Sequence, residues 1–300
     1  MEFSLSSLVP VSCSLFMRQC PVCTRRYEND SETCVLDGAA LMVPDPNLGL
    51  VIDSKYRIDA RLGSGGQGMV YRATHVHLQR PVAFKIVRGD FAGDPDMTER
   101  FKREARMLAL MKHPSIVTVH DFGITPSVGA YLVLEFLYGL SVREELKQRL
   151  RFPAALAFLV VDSVCEAVQA AHDSGIIHRD LKPENIFLEY GPSGSIAVKV
   201  LDFGIAKLTN RPELTADSVS LTGRLAGTPA YMSPEQCSGN APDTRSDIYG
   251  IGCVLYEMLT GRPPFVAPAL LHLLQMHVEA PPTPPSHYAP YLTPEIDEAV

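Results

Sequence analysis

IIHRDLKPENIFLEY, residues 176–190, sets His178, Arg179, Asp180, Lys182 and Asn185 within eight positions, between an Ile-Ile pair and an Ile-Phe-Leu run. Charged residues ordinarily spread over solvated faces. Gathered at the rim of an apolar core, one carboxylate, one ammonium and one amide point to chemistry. On the C-terminal side, IFLEY (186–190) and IAVKVLDF (196–203) read as two strands joined by a GPSG turn. That hairpin returns Asp202 to the neighbourhood of Asn185, and two hard oxygen donors that converge suit Mg2+.

On the N-terminal side, PAALAFLVVDSVCEAVQAAHDSG (153–175) reads as a long apolar helix closed by Gly175, expected to be central and buried. AYLVLEFLYG (130–139) reads as a strand ending at Gly139, a connector whose backbone groups at Glu135 and Leu137 are open to a flat heterocycle. Further upstream, YRIDARLGSGGQGMVYRATH (56–75) is a strand, then Gly63-x-Gly65-x-x-Gly68-x-Val70, then a strand through Tyr71. A glycine pattern between two strands excludes the dinucleotide fold, which needs a helix after the glycines. Glycines in a hairpin let backbone N–H groups approach phosphates with no Cβ in the way. PVAFKIV (81–87) is a third strand, carrying Lys85. Asp94-Pro95 is a helix start, and the helix runs from about Met97 to Met111 with Phe101, Ala105, Leu108 and Met111 on its inner face. Glu104 lies at the edge of that face, within reach of Lys85. The plainer alternative makes it one more acid beside Glu99, Lys102 and Arg103.

GSGGQGMV (63–70), VAFK (82–85), Glu104, HRDLKPEN (178–185), DFG (202–204) and GTPAYMSPEQ (227–236) occur in that order, followed by SDIYGIGCVLYEMLTGRPPF (246–265). The chain from about Tyr56 onward resembles the bacterial branch of the eukaryotic-like Ser/Thr protein kinases. The resemblance implies an α+β bilobal protein kinase fold, with a β-rich N-lobe over about 56–137 and a helical C-lobe over about 138–300. Leu62, Gly63, Ser64, Gly65, Gly66 and Gly68 would form the loop over the ATP phosphates, and Lys85, paired with Glu104, would contact them. Val70 and Ala83 would roof the adenine and Phe187 would floor it. Leu134 would be the gatekeeper behind the Glu135–Leu137 hinge. Asp202 and Asn185 would hold Mg2+, with Mn2+ as an alternative. Asp180 would take the proton of the substrate hydroxyl and Lys182 would steady the moving phosphoryl group. Thr228 would bond both, and His178 and Phe203 would stack with Leu108.

The same resemblance implies protein substrates bearing Ser or Thr. The polar segment between Asp202 and Glu235 would be a mobile loop, ordered by phosphorylation at Thr222 or Ser220 with Arg179 as the phosphate's partner. A kinase–kinase dimer would serve autophosphorylation in trans. The family pairs Glu235 with an arginine in a late helix. Arg245 and Arg262 lie in other motifs and the sequence stops at Val300, so the C-lobe is expected to be truncated. Two other readings stand beside an active kinase: a pseudokinase scaffold that binds nucleotide, and a small-molecule phosphotransferase, which would lack the GTPAYMSPEQ shelf.

The 300 residues are 46% hydrophobic, enough for a large core, and the net charge of −7 gives no basic surface for nucleic acid. No uninterrupted run of 18 apolar residues appears, so no membrane anchor is expected within this chain. The location expected is the cytoplasm, or the cytoplasmic face of the inner membrane if a span follows residue 300. Residues 1–16 are expected to be a disordered leader, with Met17 as an alternative start, because Glu2 stands where a signal peptide carries Lys or Arg. Seven cysteines, an odd number with three clustered, suit a reducing compartment. Cys20-x-x-Cys23 is followed by Cys34 after ten residues and by Asp37 where a fourth cysteine would stand. Residues 17–43 therefore resemble a zinc-ribbon module, with Asp37, water or a histidine completing the Zn2+ shell, and 44–55 read as a linker.

Overall fold

The computed structural model describes residues 18–27, 31–65, 68–89, 94–191, 194–203 and 229–299. The chain divides into two compact units, 1–48 and 49–300.

In the first unit, β1 (Arg18–Gln19) pairs antiparallel with β2 (Arg26–Tyr27), and single bridges join Gln19 to Met42 and Thr33 to Ala40. Its core is Cys20, Tyr27, Cys34 and Leu41.

The second unit opens with a six-stranded antiparallel sheet of order β3-β4-β5-β6-β8-β7. Its strands are β3 (Val51–Ile52), β4 (Tyr56–Gly65), β5 (Gly68–His75), β6 (Arg80–Val87), β7 (Val119–Thr125) and β8 (Gly129–Glu135). β3 lies inside the span read from sequence as linker. Between β6 and β7 runs α1 (Pro95–Leu110). It starts two residues before the expected Met97, because Asp94 caps it by accepting from the Asp96 and Met97 N–H groups and Pro95 opens the first turn. Phe101, Ala105 and Leu108 are its buried stripe, as their spacing predicts.

β8 ends at Glu135, short of the expected Gly139, and β9 (Gly139–Ser141) belongs to a second sheet of order β11-β10-β9. Then follow α2 (Val142–Arg149), with a Ser141/Glu144 capping box, and α3 (Ala154–Asp173). Gly175, with φ +74°, closes α3 as expected. α3 is long and apolar enough to cross a membrane. It is not buried all round, however: Ala157, Val160, Val164, Ala167, Val168 and Ala171 form one stripe, while Phe158 and Leu159 are exposed. Those buried residues share the large core with Ile251, Val254 and Met258 of the later helix Thr244–Thr260.

β10 (Ile186–Tyr190) and β11 (Ile196–Val200) form the expected hairpin, in register Ile186 to Val200. Helices α4 (Pro234–Cys237), α5 (Thr244–Thr260), α6 (Leu270–Glu279), α7 (Pro285–Tyr288) and α8 (Pro294–Ala299) complete the unit. A β-rich lobe followed by a mostly helical one is the bilobal arrangement that the motifs imply.

Candidate active site

Register decides which side chains of the first sheet face the second lobe. Residues opposed in an antiparallel pair share a face. Val70 opposes Lys85, Lys85 opposes Leu132, and Ala83 opposes Leu134. These five therefore line one face, while Tyr71, Phe84 and Val133 fill a separate core on the other. Lys85 is only 3% exposed, and its Nζ lies 2.7 Å from Asp202 Oδ2. A buried ammonium needs a carboxylate. The one it meets at that distance is Asp202, not the expected Glu104, which turns to the neighbouring Arg103 at 3.1 Å. Leu134 is buried and, with Leu132, Val119, Leu108, Met111 and Phe203, lines a small apolar cavity.

The glycine loop is the tip of the β4–β5 hairpin, where Gly63 opposes Val70 and Gly65 opposes Gly68. Leu62, Gly63, Ser64 and Gly65 are exposed there, and Gly66 lies outside the described residues. Gly68 has φ +146°, and a Cβ at this position would lie 1.9 Å from the Ile86 carbonyl oxygen, so only glycine fits. At the lobe connector, the Glu135 N–H is already spent on the Thr118 carbonyl at 3.0 Å. The Glu135 carboxylate accepts from Lys199 and from the Thr118 N–H, both at 2.8 Å. Burial raises its pKa, but these two bonds outweigh burial and hold it below the ordinary carboxylate range. Leu137 lies past the end of β8, in the connector between the lobes. Phe187 is half-buried on β10, opposite Ser141 and Lys199.

In the loop that opened the sequence reading, Lys182 Nζ lies 2.6 Å from Asp180 Oδ2. Asn185 Nδ2 donates to the Asp180 carbonyl at 2.7 Å, and the Leu201 N–H donates to the Asn185 carbonyl at 2.8 Å. The hairpin thus brings Asp202 beside Asn185, as expected. β11 stops at Val200, however, and Asp202 takes a left-handed φ of +63°. The His178 ring accepts the Asp180 N–H at Nδ1 (3.3 Å), so Nε2 carries the proton and donates to the Leu201 carbonyl (2.8 Å). Its ring packs on Phe203 with centroids 4.7 Å apart.

Sequence reading missed what holds this loop in place. Asp247, 1% exposed in the first turn of α5, accepts from the His178 and Arg179 N–H groups at 2.8 Å each and contacts His172 Nε2 at 2.7 Å. Arg179 sits at φ +70°, a strained value for a long side chain, and its carbonyl accepts from Gln236 Nε2 at 2.9 Å. A carboxylate directly before the apolar run of α5 was the available signal. A second missed group is Arg143 of α2, which bonds Glu184 at 2.8 Å, Glu257 at 2.7 Å and the Tyr231 hydroxyl. Burial works against its charge, and Glu257 and Glu184 outweigh it, so its pKa lies above the ordinary arginine value. Glu235 accepts from the Ser246 hydroxyl, and Arg245 pairs instead with Asp243 at 2.8 Å. Thr228, Thr222 and Ser220 lie outside the described residues.

A second cluster lies in the first unit. The ligand atoms of Cys20, Cys23, Cys34 and Asp37 all fall within 4.8 Å of one another. Cys23 and Cys34 sulfurs are 3.5 Å apart, and Cys20 Sγ is 3.3 Å from Asp37 Oδ2. Burial would raise the Cys34 thiol, but the Tyr27 hydroxyl and the Leu36 N–H hold it below its ordinary value. A bond from the Ala39 N–H does the same for Asp37.

A model of the protein kinase domain matches residues 56–282. The chain belongs to the protein kinase family. Among curated relatives, a probable serine/threonine-protein kinase PknB of Corynebacterium glutamicum is 42% identical over 247 residues, which is 81% of this chain and 37% of that protein. The serine/threonine-protein kinase pkn2 of Myxococcus xanthus is 43% identical over 253 residues, 84% of this chain and 30% of that protein. The chain thus spans about a third of the length of these relatives. The crystal structure of the Mycobacterium tuberculosis PknI kinase domain matches with TM-score 0.60 and 26% identity, covering 81% of this chain and 85% of that one. The kinase family uses ATP with Mg2+, and the hard oxygens of Asn185 and Asp202 are donors of the kind Mg2+ takes.

Proposed function

We propose that this chain is a serine/threonine protein kinase that transfers the γ-phosphoryl group of ATP to protein hydroxyls. The observation that carries this reading is one connected group: Lys182 on Asp180, Asn185 on the Asp180 backbone, and Lys85 on Asp202. Phosphoryl transfer is chiefly a matter of positioning and charge neutralisation, and needs cations and oriented acceptors more than a strong base. Asp180 orients the substrate hydroxyl and accepts its proton. Lys182 neutralises charge on the group in flight. Asn185 donates through its nitrogen to the Asp180 carbonyl, so its amide oxygen is turned to the other side, available with the Asp202 carboxylate to hold Mg2+. Mg2+ bound there would neutralise the triphosphate. Lys85 contributes its ammonium to the α- and β-phosphates, and Glu104 receives Lys85 when α1 turns inward. The glycine loop offers N–H groups, and Val70, Ala83, Leu134 and Phe187 enclose the base.

Autophosphorylation at Thr222 or Ser220, in trans within a transient pair of kinases, and a cytoplasmic location belong to the same reading. For the cluster in the first unit, three sulfurs and a carboxylate support Zn2+, which prefers such soft, four-coordinate sets.

The purified chain, given Mg2+, γ-labelled ATP and a generic basic protein, is expected to yield phosphoserine and phosphothreonine. Asp180→Asn and Lys85→Ala are each expected to lower the rate by roughly 10²- to 10⁴-fold. Undiminished transfer by both variants would defeat the assignment.

A further inference from the structure

The two turns of the first unit are copies of each other. Cys20-Pro21-Val22-Cys23 and Cys34-Val35-Leu36-Asp37 share one spacing. In the first turn, the Val22 N–H donates to Cys20 Sγ at 3.4 Å, the Thr24 N–H to the Cys20 carbonyl at 3.0 Å, and the Cys20 N–H to the Arg25 carbonyl at 2.9 Å. In the second, the Leu36 N–H donates to Cys34 Sγ at 3.4 Å, the Gly38 N–H to the Cys34 carbonyl at 2.9 Å, and the Cys34 N–H to the Ala39 carbonyl at 2.8 Å. The residue closing each turn is left-handed: Thr24 at φ 60° and Gly38 at φ 71°. Three hydrogen bonds and one left-handed residue therefore correspond position by position, and under that correspondence Asp37 stands where the first turn has Cys23.

We propose that Asp37 is the fourth ligand of a Zn2+ ion held by Cys20, Cys23 and Cys34, an inference that rests on the zinc reading of the cluster. The spacing of the donors fits. Zn–S bonds of about 2.3 Å and a Zn–O bond of about 2.0 Å give a tetrahedron with S–S edges near 3.8 Å and S–O edges near 3.5 Å. The cluster shows 3.5 Å between Cys23 and Cys34 and 3.3 Å between Cys20 and Asp37. Outer contacts orient the donors. The Ala39 N–H donates to Asp37 Oδ1 at 3.0 Å, which fixes the carboxylate. The Tyr27 hydroxyl accepts the Val35 N–H at 3.1 Å, so its own proton is directed to Cys34 Sγ, 3.0 Å away. Bonds of this kind commonly position metal ligands. Three soft sulfurs exclude Mg2+ and Ca2+ as occupants.

The test is titration of the full chain with Co2+, followed by competition with Zn2+, read by absorption. One equivalent bound with strong sulfur-to-cobalt charge-transfer bands is expected. Asp37→Ala should bind Co2+ at least about tenfold more weakly. Asp37→Cys should bind at least as tightly as the native chain, with charge-transfer intensity raised by about a third as four thiolates replace three. If Asp37→Ala misfolds, Asp37→Cys still decides: unchanged intensity shows that position 37 does not touch the metal. Native affinity and spectrum in Asp37→Ala would remove Asp37 as a ligand while the zinc reading stands. Failure of the native chain to bind Co2+ or Zn2+ would remove both.

Discussion

At the scale of single residues, Asp247 anchors the catalytic loop from a helix that lies outside it in sequence. Its two oxygens hold the N–H groups of His178 and Arg179, and Arg179 keeps a left-handed backbone that needs such fixing. Asp247→Asn puts an NH2 group against one of those donors. The expected cost is about 1–3 kcal/mol of stability and a fall in kcat of tenfold or more with the KM for ATP little changed. A kcat equal to the native value would remove Asp247 from this role. His277 is a second case. It is 4% exposed, accepts from the Tyr249 hydroxyl at Nδ1 (2.7 Å), and packs against Phe265. Burial lowers its pKa from 6.5 to about 4. The unfolded chain thus takes up a proton near pH 6.5 that the folded chain refuses until about pH 4. Stability from this residue is full above pH 6.5 and drains away as pH falls toward 4, by up to roughly 3 kcal/mol. Urea midpoints should fall over that window in the native chain and fall less in His277→Phe. Parallel pH profiles would refute it.

At the scale of elements, the β4–β5 hairpin shows how backbone approach is built into a loop. Gly68 sits against the Ile86 carbonyl oxygen, and any side chain there would force β5 from β6. Gly68→Ala is expected to cost about 1–3 kcal/mol and to raise the KM for ATP, because the strand pair that carries Val70 and Lys85 must shift. A variant with the native melting temperature and KM would contradict this. The β10–β11 hairpin is the other decisive element. IFLEY and IAVKV were legible because their alternation and turn are local. The stop at Val200 was not: the Val200 N–H and carbonyl are taken by Ser115 and Val117, residues some eighty positions away in the chain. In α3, composition indicated a central, buried helix; what the fold covers is one stripe, which packs with α5 in the large core.

At the scale of the whole molecule, the two units stand on different footings. The larger has an extended core running from Val87 to Leu292 and a second core on the far face of its first sheet. Among its described residues the smaller has four core residues, two of them cysteines, a core so small that a bound metal would add much of its stability. Removing bound metal with a chelator is therefore expected to open the 18–48 segment to trypsin at Arg25 and Arg26. Identical fragments with and without chelator would show that the unit holds without metal.

The chemistry-bearing residues were readable in the primary structure because motifs, turns and caps act over short spans: Asp94 capping α1, Gly175 ending α3, and Asp202 returned to Asn185 by a tight hairpin all depend on near neighbours. The partners of those residues were decided in three dimensions. Lys85 meets Asp202 rather than Glu104, Glu235 accepts from Ser246, and Asp247 reaches back to the catalytic loop. Each is a buried charge or donor satisfied by whatever complementary group packing brings within about 3 Å, and that choice depends on how distant segments meet.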